Sequence, residues 1–279
     1  MKARAELQRR EAALLATAET LTTPLPQGQL HWQRWSPPEA GPPLLLLHGG
    51  FGSWNHWFAN IDTLRCHREL WTLDLPGLGE SGPISREATP TDFARLVRAG
   101  MDELLGRRAY ELAGFSFGAM IGARLAADQH CRRFTAIGAA GCGELHVQVE
   151  LAMPPSKRTP WNEAAPVHRA NLRALMFSPA AEIDELAVYL HASNLARARF
   201  NSRALSLTGD FLAALTKIGG QLVAVWGSAD ATAGGVAAIE ARRKLILDCQ
   251  PAARFQLLEG PGHWTMYESP GAVDAALLD

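Results

Sequence analysis

The stretch that most constrains this chain is residues 110–130. An apolar run ending at Ala113 meets Gly114-Phe115-Ser116-Phe117-Gly118, and small residues follow through 119–127. In local terms this reads as strand, sharp turn, helix. Glycines at both ends of a G-x-S-x-G turn have a steric reason, because the central serine takes a strained backbone conformation and its neighbours pass close to adjacent elements. Ser116 is therefore expected at the carboxyl edge of a sheet. The N–H of Phe117 would open a helix and face whatever the serine attacks.

The flanking sequence supplies neighbours for that strand. Leu44-Leu45-Leu46-Leu47 is a continuous apolar run, as a strand covered on both faces requires, and it ends in His48-Gly49-Gly50-Phe51-Gly52. Residues 30–35 read as a short edge strand, and Pro37, Pro38, Gly41, Pro42 and Pro43 punctuate the turn after it. Ser53 is the expected N-cap of a helix carrying Trp54, Trp57, Phe58 and Ile61, and residues 70–75 form the next strand. Thr89 caps a helix with Pro90 at its first position, and residues 134–140 make a further strand. Strand and helix alternate, so the expected sheet is parallel, with right-handed crossovers and ligands at the carboxyl ends of its strands.

Gly77-Leu78-Gly79-Glu80-Ser81-Gly82 formally matches G-x-G-x-x-G, yet Pro83 and a polar loop follow where a dinucleotide site needs a helix N-terminus. The dinucleotide reading is rejected. From Cys142 the texture changes: Pro154, Pro155, Pro160 and Pro166 break the chain, and helical periodicity follows at 168–177, 180–194 and 205–218, with Ser178-Pro179 read as a helix start. Strand patterning returns at Gln221, and residues 254–258 form the last strand before Ser269-Pro270 opens a final helix. The expected organisation is an N-terminal helical extension over 1–24, a core over 25–141 and 219–279, and a helical cap over 142–218. The cap is inserted between the strand ending near Ala140 and the strand at Gln221. Such lids exclude water and shape a pocket.

Charge and cysteine usage narrow the partners. With 27 basic against 28 acidic side chains, no net field points to nucleic acid or an anionic membrane, and a small-molecule substrate fits better. Cys66, Cys131, Cys142 and Cys249 form no C-x-x-C pair, so neither zinc nor a disulfide framework is indicated. Glu6, Arg9, Arg10, Glu11 and Glu19 interrupt any signal-like apolar segment, leaving an amphipathic helix, and the default location is cytoplasmic. The number of subunits is left open.

A serine that performs acyl transfer needs a base and a buried acid to orient that base. Asp230 follows one strand and His263 follows the next. The order Ser116, Asp230, His263 is one of the three known chain orders for such a triad. Through His48-Gly49-Gly50, residues 74–81, Gly114 to Gly118, Gly227 to Asp230 and Gly262-His263, the chain resembles the α/β-hydrolase superfamily from about residue 25 onward. The resemblance implies a mostly parallel, doubly wound α/β sheet, with Ser116 as nucleophile, His263 as general base and then acid, and Asp230 as its orienting carboxylate. It also implies an oxyanion hole from the N–H of Phe117 and of Gly50, with Phe51 as the lesser alternative, and Glu144 as the fallback acid. No metal or organic cofactor is implied. Asp74 is read as holding its glycine-rich loop and His48 as supporting the oxyanion loop. Trp54, Trp57 and Trp264 either line the pocket or pack, and His56 and His67 show no metal-ligand spacing.

The leading expectation is a serine hydrolase cleaving a small, largely apolar carboxylic ester through an acyl-enzyme. A serine nucleophile sets aside the dehalogenase and epoxide-hydrolase branches. The alternative is a carbon–carbon bond hydrolase of the meta-cleavage-product type, which Gly262-His263-Trp264 and a helical lid resemble, although Phe115 stands where that branch has Asn. Its carboxylate-binding lid arginine would be one of Arg169, Arg173, Arg197, Arg199 and Arg203. A third reading, of another class, is a non-catalytic ligand-binding scaffold.

Overall fold

The computed structural model describes residues 2–36, 41–145 and 147–279. Pro37 and Pro38 of the expected turn lie outside the described residues. Eight strands, β1 (Glu19–Pro24), β2 (Gln29–Trp35), β3 (Leu44–Leu47), β4 (Leu70–Leu73), β5 (Tyr110–Phe115), β6 (Cys131–Ile137), β7 (Gln221–Gly227) and β8 (Arg254–Leu258), form one sheet in the order β1-β2-β4-β3-β5-β6-β7-β8. β2 is antiparallel to both of its neighbours, and every pair from β4 to β8 is parallel.

The helices are α1 (Lys2–Leu15), α2 (Phe58–Leu64), α3 (Pro90–Leu105), α4 (Phe117–Leu125), α5 (Trp161–Leu175), α6 (Glu185–Arg197), α7 (Arg203–Ser206), α8 (Asp210–Leu215), α9 (Val236–Cys249), α10 (Thr265–Glu268) and α11 (Pro270–Leu278). Two apolar layers cover the sheet, and strand side chains alternate between them as a period of two requires. Leu45, Leu47, Leu112, Leu222 and Ala224 pack with Phe93, Val97, Phe211 and Ile239 on one face. Leu44, Leu46, Ala113, Val223 and Val225 pack with Ile61, Leu172, Trp264 and Val273 on the other. This double covering explains why β3 is a run of four leucines, all buried.

Several local expectations are corrected. Residues 19–24 belong to β1 rather than to a helical extension, so β2 lies inside the sheet and β1 takes the edge. Glu19-Thr20-Leu21-Thr22-Thr23-Pro24 holds one large apolar residue, and its β character comes from threonines and from pairing with β2. Ser53 does not cap a helix. A 3-10 turn over Trp54–Trp57 precedes α2, and the Ser53 hydroxyl instead donates to Asn194 at 2.7 Å. Pro166 lies inside α5 instead of breaking it, and Asp184, not Ser178, caps α6 through a bond from the Ala187 N–H. Thr89 caps α3 as expected, in a reciprocal capping box with Asp92. Between β6 and β7 the chain runs through α5 to α8, with no strand among the described residues.

The position of the site follows from the winding. β4 lies on one side of β3 and β5 on the other, so the strand order reverses there and opens a crevice at the carboxyl ends. Leu47 pairs with Gly114, which sets the end of β3, His48-Gly49-Gly50, beside the turn that follows β5.

Candidate active site

Ser116 sits at that turn with φ of 50° and ψ of −112°, as the residue preceding α4. Positive φ is uncommon for a side-chain-bearing residue, and here its neighbours leave no alternative path. A methyl group on Gly114 would stand 2.6 Å from the backbone of Gly118 and Ala119, and one on Gly118 would stand 2.4 Å from the carbonyl oxygen of His48. The chain therefore doubles back tightly against the end of β3, and the Ser116 side chain is driven outward into the crevice.

His263 and Asp230 reach the same point from the ends of β8 and β7. His263 Nε2 lies 3.0 Å from Ser116 Oγ, and Nδ1 lies 2.9 Å from Asp230 Oδ2. Asp230 is 2% exposed. Burial alone would push its carboxyl up, yet the facing imidazole and two donors from Thr232 leave it below the ordinary carboxylate range. Those donors are the Thr232 N–H at 2.8 Å and hydroxyl at 2.7 Å, both on Oδ1, and the same hydroxyl is 3.3 Å from His263 Nδ1. Thr232 was not singled out from the sequence, although Asp-x-Thr after a strand is a turn pattern in which the two side chains can meet. Glu144 is exposed and makes no hydrogen bond or ion pair with His263, so the fallback acid is set aside.

Gly50 lies beside the residue that follows Ser116: a methyl group on it would stand 3.7 Å from Phe117 Cβ. Among the described residues no acceptor engages the N–H of Gly50 or of Phe117. The loop bearing Gly50 is fixed by buried neutral histidines. His48 Nε2 accepts from the Leu75 N–H at 2.9 Å, and burial pushes this ring down to about 4. His56 Nδ1 accepts from the Gly49 N–H at 3.2 Å and is likewise pushed well below its ordinary value, by burial first and then by His48, His191 and His263. Asp74 reaches further than expected: it accepts from the N–H of Glu80 in its own loop and from that of Trp54, each at 2.8 Å. Phe51 also has positive φ, at 54°, which bends the chain away from Gly50.

A cavity of about 480 Å³ opens over Ser116 and His263. Its walls are mainly apolar, with Phe115, Leu151, Leu175, Met176 and Leu195 among them. Trp54, Trp57 and Trp264 are not on the wall; they are 0–2% exposed and pack beneath it. Of the five cap arginines, Arg203 alone lines the cavity among the described residues, with its Nη2 donating to the Val149 carbonyl on the same wall. Arg169, Arg173, Arg197 and Arg199 instead bond to backbone carbonyls or to Glu11, Glu80 and Glu185. Ser202 and His191, not anticipated from sequence, also face the cavity, brought there by α6 and the loop before α7. Among the described residues no cluster of His, Cys, Asp and Glu is arranged to hold a metal ion, and no helix is long and apolar enough to cross a membrane.

A sequence profile for the alpha/beta hydrolase fold matches residues 42–270. The chain belongs to the alpha/beta hydrolase fold family. This hydrolase is 36% identical over 108 residues to the dihydrolipoyllysine-residue acetyltransferase component of an acetoin cleaving system from Pseudomonas putida. That match spans 38% of this chain and 29% of that protein, so the chain covers under a third of the relative's length. Among solved structures it is similar to a carboxylesterase from Bacillus subtilis, with a TM-score of 0.71 and 19% identity over 100% of this chain and 98% of that one. It is also similar to naproxen esterase from Bacillus subtilis, with a TM-score of 0.75 and 17% identity over 99% and 95% of the two chains. These likenesses show the same α/β-hydrolase fold, and family membership supports hydrolysis as the general class of reaction.

Proposed function

We propose that this hydrolase cleaves a small, largely apolar carboxylic ester through an acyl-enzyme. The observation that carries the reading is the continuous contact Ser116–His263–Asp230, at 3.0 and 2.9 Å, beneath a mostly apolar cavity. In this scheme Ser116 Oγ attacks the ester carbonyl carbon while His263 Nε2 accepts its proton. Asp230 holds the Nδ1–H tautomer and stabilises the imidazolium. The negative oxygen of the tetrahedral intermediate lies between the N–H groups of Phe117 and Gly50. Collapse breaks the carbon–oxygen bond to the alcohol, which leaves with the proton from His263. Water then repeats the sequence against the acyl-enzyme and releases the acid. Residues 142–218, carrying α5 to α8, serve as the cap that selects the substrate. Cytoplasmic residence belongs to the same proposal and is supported by four free cysteines.

A second reading has one specific observation in its favour. Arg203 lines the cavity with its Nη2 donating to the Val149 carbonyl, and its remaining N–H groups suit a substrate carboxylate, as carbon–carbon bond hydrolysis of the meta-cleavage-product type requires. A screen of short-chain esters beside vinylogous diketo acids separates the two reactions.

The test of the triad is intact-mass labelling with a fluorophosphonate, followed by peptide mapping. Wild type is expected to label at Ser116. Ser116→Ala is expected to fold normally, to resist labelling, and to lose about three orders of magnitude or more in kcat. An unlabelled wild type with no turnover would favour the ligand-binding scaffold, and a fully active Ser116→Ala would remove the nucleophile from the scheme.

A further inference from the structure

The N-terminal helix α1 precedes the segment that matches the family, residues 42–270, and yet one of its charged residues is buried. Leu7, Glu11 and Leu14 fall at helical spacing on one stripe and are each 8% exposed. A carboxylate on a buried stripe requires partners, since an unpaired buried charge is strongly disfavoured. Glu11 finds them on two elements far away in the chain. Its Oε1 accepts from Asn55 Nδ2 at 2.6 Å and from Arg197 Nη2 at 3.4 Å, and its Oε2 accepts from the Tyr189 hydroxyl at 2.8 Å. Burial and the Glu11 carboxylate push that phenol up to about 12, which keeps it a donor.

The network continues beyond Glu11. Asn194 Nδ2 donates to Asn55 Oδ1 at 2.7 Å, and the Ser53 hydroxyl donates to Asn194 Oδ1 at 2.7 Å. Tyr189, Asn194 and Arg197 all belong to α6, whose His191 and Leu195 form part of the cavity wall. Ser53 and Asn55 follow directly on Gly50-Phe51-Gly52. Glu11 thus joins, by one carboxylate, the helix that walls the cavity and the loop that presents the Gly50 N–H.

We propose that Glu11 is a positioning residue that fixes α6 and the 50–57 segment in one frame and so holds the Gly50 N–H at its place beside Ser116. The inference rests on the hydrolase reading above. It assigns to α1 a role in catalysis that works through distance and orientation, because small displacements of an oxyanion donor lower the rate without removing any reacting group.

The experiment measures kcat and KM for p-nitrophenyl butyrate per fluorophosphonate-labelled Ser116, and the Ki of a trifluoromethyl ketone whose adduct oxygen occupies the donor pair. The proteins are wild type, Glu11→Gln, Tyr189→Phe and, as a control on the exposed face of the same helix, Arg9→Ala. Glu11→Gln and Tyr189→Phe are expected to lower kcat about tenfold with KM little changed, and to weaken the ketone by a similar factor. Arg9→Ala should match wild type. A helix that only stabilises the fold would lower the labelled fraction or the melting temperature and leave kcat per site and Ki untouched, and that result would overturn the inference. Tyr189→Phe keeps the test open should Glu11→Gln fail to fold. A wild type that neither labels nor hydrolyses ester overturns the hydrolase reading itself, whereas an active wild type with indifferent variants overturns this inference alone.

Discussion

At the scale of single residues, the site depends on glycines whose missing side chain is a matter of space. Gly50 is the informative case because its φ is not positive, so conformation gives no reason for glycine there. A methyl group at this position would stand 2.3 Å from Ser202 Oγ and 3.4 Å from Ser202 Cβ. The obstacle is one hydroxyl oxygen, and it belongs to the loop before α7. Gly50→Ala should therefore displace the N–H proposed as an oxyanion donor and lower kcat by about a hundredfold, the range seen when one such donor is lost. Ser202→Ala removes the clashing oxygen, so the Gly50→Ala/Ser202→Ala double variant should regain most of that loss while Ser202→Ala alone stays near wild type. Steady-state kinetics on the four proteins decide the matter. A double variant as slow as Gly50→Ala would show that the hydroxyl is not what glycine avoids.

At the scale of elements, the turn between α5 and α6 is stitched to the loop that carries His263. The Glu268 carboxylate accepts from the Ser178 N–H at 3.1 Å, from its hydroxyl at 2.8 Å and from the Gly262 N–H at 2.7 Å, while the Trp264 N–H donates to the Met176 carbonyl at 2.7 Å. Glu268→Ala should lower kcat about tenfold by loosening His263, and Glu268→Gln, which keeps an acceptor, should lose less. Equal kcat per titrated site in all three proteins would deny Glu268 that function. None of these links is legible in the sequence, because the partners lie up to 90 residues apart. Local patterns that carry their own physics were legible: the four-leucine strand, the Thr89 cap, and the glycines that bracket Ser116. β1 was missed because Leu21 is its only large apolar residue, so its strand character arises from pairing with β2. The meeting of Ser116, Asp230 and His263 could be inferred because each follows a strand of one parallel sheet, which the winding brings to a single edge. Thr232 carries a local signal in the Asp-x-Thr turn after β7, whereas the contacts of Glu11 and Ser202 come from tertiary neighbours far away in the chain.

At the scale of the whole molecule, the two apolar layers enclose titratable groups whose burial links stability to pH. His48 is neutral in the fold, with its ring pushed down to about 4 by burial. Its contribution is complete above the unfolded value near 6.5 and is lost as pH falls from there toward 4, by about 3 kcal/mol. Asp74 acts in the opposite sense. Burial raises its carboxyl to about 6, so the fold is disfavoured while Asp74 is charged and is relieved by about 3 kcal/mol as pH falls through 6 toward 4. These two nearly cancel, and the remaining histidines decide the outcome. His56 is pushed well below its ordinary value by burial and by neighbouring rings, and burial brings His191, edge-on to His168 at 5.5 Å, down to about 3. Both add losses of the same sign as His48, so stability should fall between pH 6.5 and 4. Urea unfolding at pH 7, 5.5 and 4 measures this directly, with His191→Gln expected to flatten the decline because the buried imidazole, whose Nε2 has no hydrogen-bond partner among the described residues, accounts for part of it. Stability that stays level or rises toward pH 4 would mean that the buried imidazoles gain protons without unfolding. The neutral-histidine framework beneath the Gly50 loop would then have to be abandoned.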